Sequence, residues 1–236
     1  MKIVNFSGYE WVVKSGSRPK GPGNNWWSEN HVWVDETGLH LKVAERHNHW
    51  KCAEVKLAKP LGYGKYRFYV DGRIDQLDKN VVLGLFLYKN DKNEIDIEFS
   101  RWGKEKSRNA QYVMRDMEVT KERFNMKLAG NYTTHVIDWN DYAVEYTSIH
   151  GHYSRPPKQN LIWEGYFSEQ YDMGGELIRG IPEGDLKVHI NLWLHNGQPP
   201  SNGKSHEIII KRFEYDPASK GRPAVHKNII DAAFGD

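Results

Sequence analysis

Glu94-Ile95-Asp96-Ile97-Glu98-Phe99 alternates three acids with three apolar residues. In a strand, successive side chains point to opposite faces, so the acids share one face and the apolar residues the other. The apolar face can enter a core. The acid face then carries three carboxyl groups in a row, and like charges that close disfavour ionisation of at least one of them. Asp is also poorly suited to strands, and like charges on one face of a sheet are unfavourable. Two carboxyl groups with separated pKa values are the tools of glycoside hydrolysis. For a reaction that retains anomeric configuration they must sit about 5–5.5 Å apart. Residues i and i+4 on an extended strand have Cα atoms roughly 13 Å apart, a gap that long Glu side chains and sheet curvature shorten. An acid between them, at i+2, can hydrogen-bond to one partner and drive the two pKa values apart. The plain alternative is a solvent-facing row of acids in an antiparallel sheet.

The elements that must hold this strand are themselves β. Residues 31–35 and 39–44 alternate around a turn at Glu36-Thr37-Gly38, and 52–57 and 64–70 alternate again. Residues 81–88 (VVLGLFLY) form an almost continuous apolar run, as in a strand covered on both faces. Further strands are expected at 109–114, 132–139, 142–147, 161–167, 186–194 and 206–215, with a hairpin tip at His150-Gly151-His152. Helical periodicity is confined to short turns near 121–128 and a tail near 226–234. The expected fold is all-β, a curved antiparallel β-sandwich of jelly-roll (concanavalin A-like) type. One domain over 1–236 is the simplest division, with 217–236 a surface extension. The Gly- and Pro-rich loop at 16–25 is of the kind that borders binding sites.

Composition narrows the function. Apolar residues make up 39% and charged residues 27% of 236, which reads as globular. The 33 basic and 31 acidic residues nearly balance, so no basic stripe points to nucleic acid. No apolar run reaches membrane-spanning length. Aromatics reach 13%, with nine Trp. Flat aromatic faces match the C–H faces of pyranose rings, although most Trp pack in cores. Cys52 is the single cysteine, so no intramolecular disulfide forms. The N-terminus lacks the apolar segment of a secretion signal, which leaves localisation open. The expected partner is a polysaccharide or oligosaccharide, with no cofactor and a monomeric chain.

The acid strand and its surroundings resemble glycoside hydrolase family 16, the lichenase and laminarinase family. Cys52-Ala53-Glu54, Gly62-Tyr63-Gly64-Lys65-Tyr66 and Phe86-Leu87-Tyr88 precede the acids in the family's order. Gln111, Asp138-Trp139 and Asn191-Leu192-Trp193 follow them, so the resemblance spans about 30–215. It implies Glu94 as nucleophile, Glu98 as acid/base and Asp96 as the assisting acid. It implies substrate contacts at Glu54, Phe86, Tyr88, Gln111, Asn191 and Trp193. The absence of an inserted residue between Asp96 and Glu98 resembles the lichenase and xyloglucan-active branches rather than those with a β-bulge here. This chain also departs from the lichenase pattern. Lys92-Asn93 stand where a Trp usually precedes the nucleophile. Val113 and Arg115 stand where polar and sugar-stacking residues follow the matched Gln. The partner of Cys52 in the lichenase disulfide is missing, and Lys211 occupies the position of a structural calcium ligand, so no calcium is expected.

Trp102, directly after the acid strand, is a further candidate for sugar stacking, and Trp26-Trp27 for a subsite wall with one of the two in the core. His195 is a candidate substrate contact, and Asn196-Gly197-Gln198-Pro199-Pro200 a cleft-rim loop. His47-Asn48-His49 and His150-Gly151-His152 have metal-compatible spacing but no acid or Cys nearby, which favours loop or hairpin roles. The functional expectation is a retaining endo-β-glycanase. The alternatives are a transglycosylase, a non-catalytic lectin-like module on the same fold, and a metal-dependent isomerase or cupin-like protein using the His pairs.

Overall fold

A computed structural model describes residues 1–116, 118–155 and 157–218. The strands in chain order are β1 (Ile3–Phe6), β2 (Tyr9–Val13), β3 (Trp26–Trp27), β4 (Val32–Asp35), β5 (Gly38–Arg46) and β6 (His49–Leu57). They continue with β7 (Gly64–Asp71), β8 (Val81–Asn90), β9 (Asn93–Phe99), β10 (Ala110–Arg115), β11 (Val119–Phe124) and β12 (Tyr132–Trp139). The last are β13 (Ala143–His150), β14 (Leu161–Ser168), β15 (Gln170–Tyr171), β16 (Leu177–Arg179), β17 (Lys187–Leu194) and β18 (His206–Pro217). The main sheet runs β11-β10-β9-β8-β17-β6-β5-β18-β7-β12-β13-β14 and curves on itself into a jelly-roll sandwich. β5 joins the two layers: its first half pairs with β18 and its last three residues with β6.

Alternation explains the layers. Ile95, Ile97 and Phe99 of β9 are fully buried, together with Leu83, Leu85 and Leu87 of β8 and Val188, Ile190 and Leu192 of β17. The opposite layer contributes Phe68, Ile137, Val144, Tyr146 and Phe213. β8 is covered on both sides at Val81 through Leu85, as its continuous apolar run implies. Gly84, Phe86 and Tyr88 on its other face form part of the floor of a cleft. The turn before β5 is closed by Asp35, whose Oδ1 accepts the Thr37 N–H at 2.8 Å. Gly38 then sits so close to β18 that a Cβ would meet the Ile210 carbonyl oxygen, which only Gly avoids.

Several contacts clamp the acid strand from beneath. The Phe99 ring lies 4.6 Å from His135, which is fully buried between the hydroxyls of Ser148 (2.8 Å) and Thr133 (2.9 Å). Burial pushes His135 down to about 3, so it stays neutral. Tyr112 stacks on Tyr146 at 4.6 Å and donates to Ser148 Oγ at 2.8 Å. Tyr146 donates to the Val113 carbonyl at 2.7 Å, tying β10 to the second layer.

The expected strands hold their places, with three differences. Residues 119–124, read as part of a helical turn region, form the edge strand β11, because their partners lie across β10 rather than along the chain. β1, β2 and β3 carry too few alternating apolar residues to stand out. His150 ends β13, and Gly151-His152 opens a longer connection to the antiparallel β14, which starts at Leu161. The expected tail helix near 226–234 and most of the expected extension lie outside the described residues.

Candidate active site

Strand register builds the site. One row of side chains crosses the sheet as Glu54 (β6), Asn191 (β17), Gly84 (β8), Glu98 (β9), Gln111 (β10) and Arg123 (β11). The next row runs His189, Phe86, Asp96, Val113 and Lys121. The third runs Lys187, Tyr88, Glu94, Arg115 and Val119. β9 and β10 pair without a register shift from Glu94 to Phe99, so no bulge separates the acids. The rows form the floor of a cleft of about 870 Å3.

The three acids, Glu54, Phe86, Tyr88, Trp102, Gln111, Asn191 and Trp193, all expected at the site from the sequence, line this cleft. The rim adds Gly21, Pro22 and Gly23 of the Gly-rich loop, with His195 and Asn196. That loop is anchored by Asn25, whose amide donates to the Leu194 carbonyl at 2.8 Å. The rim loop 195–204 is held by Asp78, which accepts from Ser201 Oγ at 2.6 Å and from the backbone of Asn80, Ser201 and Asn202.

The acids are buried unequally. Asp96 is 5% exposed, and its carboxyl shares a hydrogen bond with Glu94. Burial and the neighbouring charges of Glu94 and Glu98 push Asp96 well above the usual carboxylate range, which favours its protonated form. Burial raises Glu94 to about 7, against the pull of Arg115. Arg115 Nε lies 2.9 Å from Glu94 Oε2, an ion-pair distance without hydrogen-bond alignment. Glu98 is also raised by burial, while the Gln111 amide donates to its Oε2 and Lys121, Arg115 and Arg123 favour its ionised form.

The far side of the cleft has a second charged set. Glu54 is nearly buried and lies between Lys14 Nζ at 2.7 Å and His189 Nδ1 at 3.2 Å. Burial works against its charge, but His189 and Lys14 outweigh burial and hold it ionised. His189 packs between the rings of Phe86 (5.0 Å) and Tyr88 (5.7 Å). Two polar atoms nearby, Asn191 Oδ1 and Trp193 Nε1, are buried without a partner. Buried polar groups left unpaired cost stability, and a ligand in the cleft can satisfy them.

Gly84 makes the floor deep beside Glu98. A Cβ there would approach Asn191 Oδ1 to 2.5 Å and Phe86 Cδ1 to 3.4 Å. Gly84→Ala is expected to displace the Asn191 amide and weaken substrate binding severalfold with the fold intact. Isothermal titration with an oligosaccharide ligand, beside a thermal melt, checks this.

The structure revises several side-chain expectations. Trp102 lines the cleft, but one face of its ring is taken by the Arg123 guanidinium at 4.5 Å, which restricts stacking to the other. Trp26 and Trp27 do not wall the cleft: Trp27 is core, and Trp26 stacks on His49 at 4.6 Å. His152 Nε2 donates to the Val70 carbonyl at 3.0 Å, and its ring contacts Tyr69 and Tyr132. Arg115 lines the cleft and pairs with Glu94. Lys211 is exposed at a register shift of β18, and an ammonium there does not fit a calcium site. Burial raises the Cys52 thiol to about 12, so it is inert packing. Lys14, His189, Lys121 and Arg123, which also line the cleft, were not foreseen as site residues. His189-Ile190-Asn191-Leu192-Trp193 does carry a signal, since its polar and aromatic residues alternate with apolar ones.

No protein-family model and no curated protein matches the chain. Solved structures match its fold. A Bacillus licheniformis β-glucanase superposes with a TM-score of 0.64 at 18% identity, covering 88% of this chain and 92% of that one. A Mycobacterium tuberculosis protein described as an immunostimulatory antigen and pseudo β-1,3-glucanase gives 0.65 at 16%, covering 89% and 91%. A Bacteroides ovatus family 16 protein, solved with a G4G4G3G product, gives 0.62 at 13%, covering 87% and 94%. The chain thus has the fold of family 16 β-glucanases. At these identities the likeness concerns the fold alone.

Proposed function

We propose that this protein is a retaining endo-β-glycanase with Glu94 as nucleophile and Glu98 as acid/base. The observation that carries this reading is the buried acid row on the floor of a cleft deep enough for a glycan, with Asp96 between Glu94 and Glu98 on the same face of β9. The hydrogen bond between Asp96 and Glu94 and the Arg115 guanidinium both favour the ionised Glu94 needed for attack. Burial favours the protonated Glu98 needed for the leaving group. In the first step a Glu94 carboxylate oxygen bonds to the anomeric carbon as the glycosidic C–O bond breaks, and Glu98 gives its proton to the departing oxygen. In the second step Glu98 takes a proton from water, whose oxygen displaces Glu94. Transglycosylation is the same path with a sugar hydroxyl in place of water. Asn191, Trp193, Phe86, Tyr88 and Glu54 would hold the sugar on one side of the cleavage point, and Gln111 and Trp102 on the other.

Two observations favour a binding protein instead: Arg115 pairs with Glu94, and a fold neighbour is described as a pseudo-glucanase. A panel of β-glucans and β-galactans with product linkage analysis separates the two readings. Cleavage supports the glycanase; binding without cleavage of any polymer supports the second reading.

Arg115 also has a signed effect on pH dependence. It lowers the proton affinity of Glu94, so Arg115→Gln raises it. The acid limb of kcat/KM against pH, where Glu94 must lose its proton, is expected to move to higher pH. An unmoved limb would exclude Arg115 from tuning the nucleophile.

A further inference from the structure

Positive charge is distributed unevenly along the cleft. On the β6 side Lys14 is spent on Glu54 at 2.7 Å, and in the middle Arg115 is spent on Glu94 at 2.9 Å. On the β11 side Lys121 and Arg123 alternate along the strand and share the cleft face. Among the described residues neither forms an ion pair. Arg123 is held in place nonetheless. Its Nε donates to Gln111 Oε1 at 3.0 Å, and its guanidinium lies 4.5 Å over the Trp102 ring. These contacts fix the plane and leave the terminal amino groups of the fork to another acceptor.

We propose that the β11 end of the cleft receives an anionic substituent, a sulfate or a carboxylate, on the sugar bound beyond Glu98, so that the substrate is a charged β-glycan. This rests on the glycan-cleft reading above and specifies its ligand. Lys121 and Arg123 cross the sheet from Val113 and Gln111, which themselves pair with Asp96 and Glu98, so an anion between the two cations sits beside the sugar at the leaving-group side. A prearranged guanidinium plus an ammonium suits an oxyanion with several acceptor oxygens. The simpler role, neutralising the buried acids, fits poorly. Both cations favour loss of the proton from Glu98, the proton a general acid must keep. A bound anion offsets that field and adds to the burial that already favours the protonated Glu98.

The test uses the Glu94→Gln chain, which binds without turnover, and paired β-glucan and β-galactan oligosaccharides. Each is offered neutral, sulfated and carboxylated, with calorimetry at low and high salt. The charged member of at least one backbone is expected to bind about tenfold or more tighter than its neutral twin at low salt. The preference should shrink with salt and vanish in Lys121→Gln/Arg123→Gln. Lys121→Gln alone, which leaves the Gln111 contact untouched, should remove part of it. The sulfate and carboxylate arms identify the oxyanion. Equal affinity for neutral and charged members overturns the proposal, as does a preference that survives the double variant. Charged binding that the wild-type chain never converts to cleavage supports the anion site and sinks the glycanase reading. Binding of no member overturns both.

Discussion

Glu94→Gln is expected to abolish turnover while leaving the fold intact. Without a carboxylate at this position no glycosyl-enzyme bond forms, and removal of a nucleophile commonly costs at least ~10^4-fold in kcat. An amide is close in shape to the carboxylate, and the Asp96 proton still finds an oxygen acceptor. The same substitution should stabilise the protein at higher pH. Glu94 is raised by burial to about 7 from an ordinary value of 4.5. The folded state therefore binds more protons than the unfolded state between those values, and stability falls as pH rises through that window. Above it the full penalty of a buried charge remains. Gln carries no such penalty, although it loses the attraction of Arg115. A gain on the order of 1–3 kcal/mol at pH 8, and little or none at pH 4, follows from the size of that displacement. Thermal melts at the two pH values beside activity assays check both halves. Residual wild-type activity on a confirmed substrate would sink the nucleophile assignment, whatever the melts show.

Glu98→Gln should fail differently. The general acid is worth about 10^2–10^4-fold, but only where the leaving group needs a proton. On polysaccharide, whose leaving group is a sugar alkoxide, the whole of that loss is expected. On an aryl glycoside with an acidic phenol, the first step needs little help and should proceed. The second step still lacks its base, so the glycosyl-enzyme accumulates. The expected trace is a burst of phenol close to one per enzyme, followed by slow turnover. Gln111 keeps an oxygen to which it can donate in this variant, so the local packing is preserved. An equal loss on both substrate types, with no burst, would contradict the acid/base role.

The shared face of the three acids was legible because a strand imposes a period of two, whereas separate roles for Glu94 and Glu98 came only from the family resemblance. Glu94, Asp96 and Glu98 had to share a face once Ile95, Ile97 and Phe99 were assigned to the core, and the sheet places them so. The polar and aromatic contacts at Glu54, Asn191 and Trp193 became legible only through the family resemblance. Their places in the cleft depend on pairing between strands far apart in sequence. Lys14 and His189 reach Glu54 from 40 and 135 residues away, and no local pattern announces such contacts. β11 was hidden for another reason. Val119-Thr120-Lys121-Glu122-Arg123-Phe124 is charged and half-exposed at a sheet edge, so it lacks the apolar alternation that marks a strand. The two cations that distinguish this cleft from a neutral one lie on that strand. Arg115 was visible as a departure from the family pattern, but its ion pair with Glu94 depended on β9–β10 register.

That register also makes the central claim testable by stereochemistry. Double displacement through Glu94 inverts the anomeric centre twice, so the first product keeps the β configuration. Proton NMR of the newly formed reducing end, recorded in the first minutes of cleavage before mutarotation, reads this directly. The account predicts the β-anomer signal first, with the α-anomer growing in later. An initial α-anomer would mean single displacement by water and would contradict Glu94 as the nucleophile.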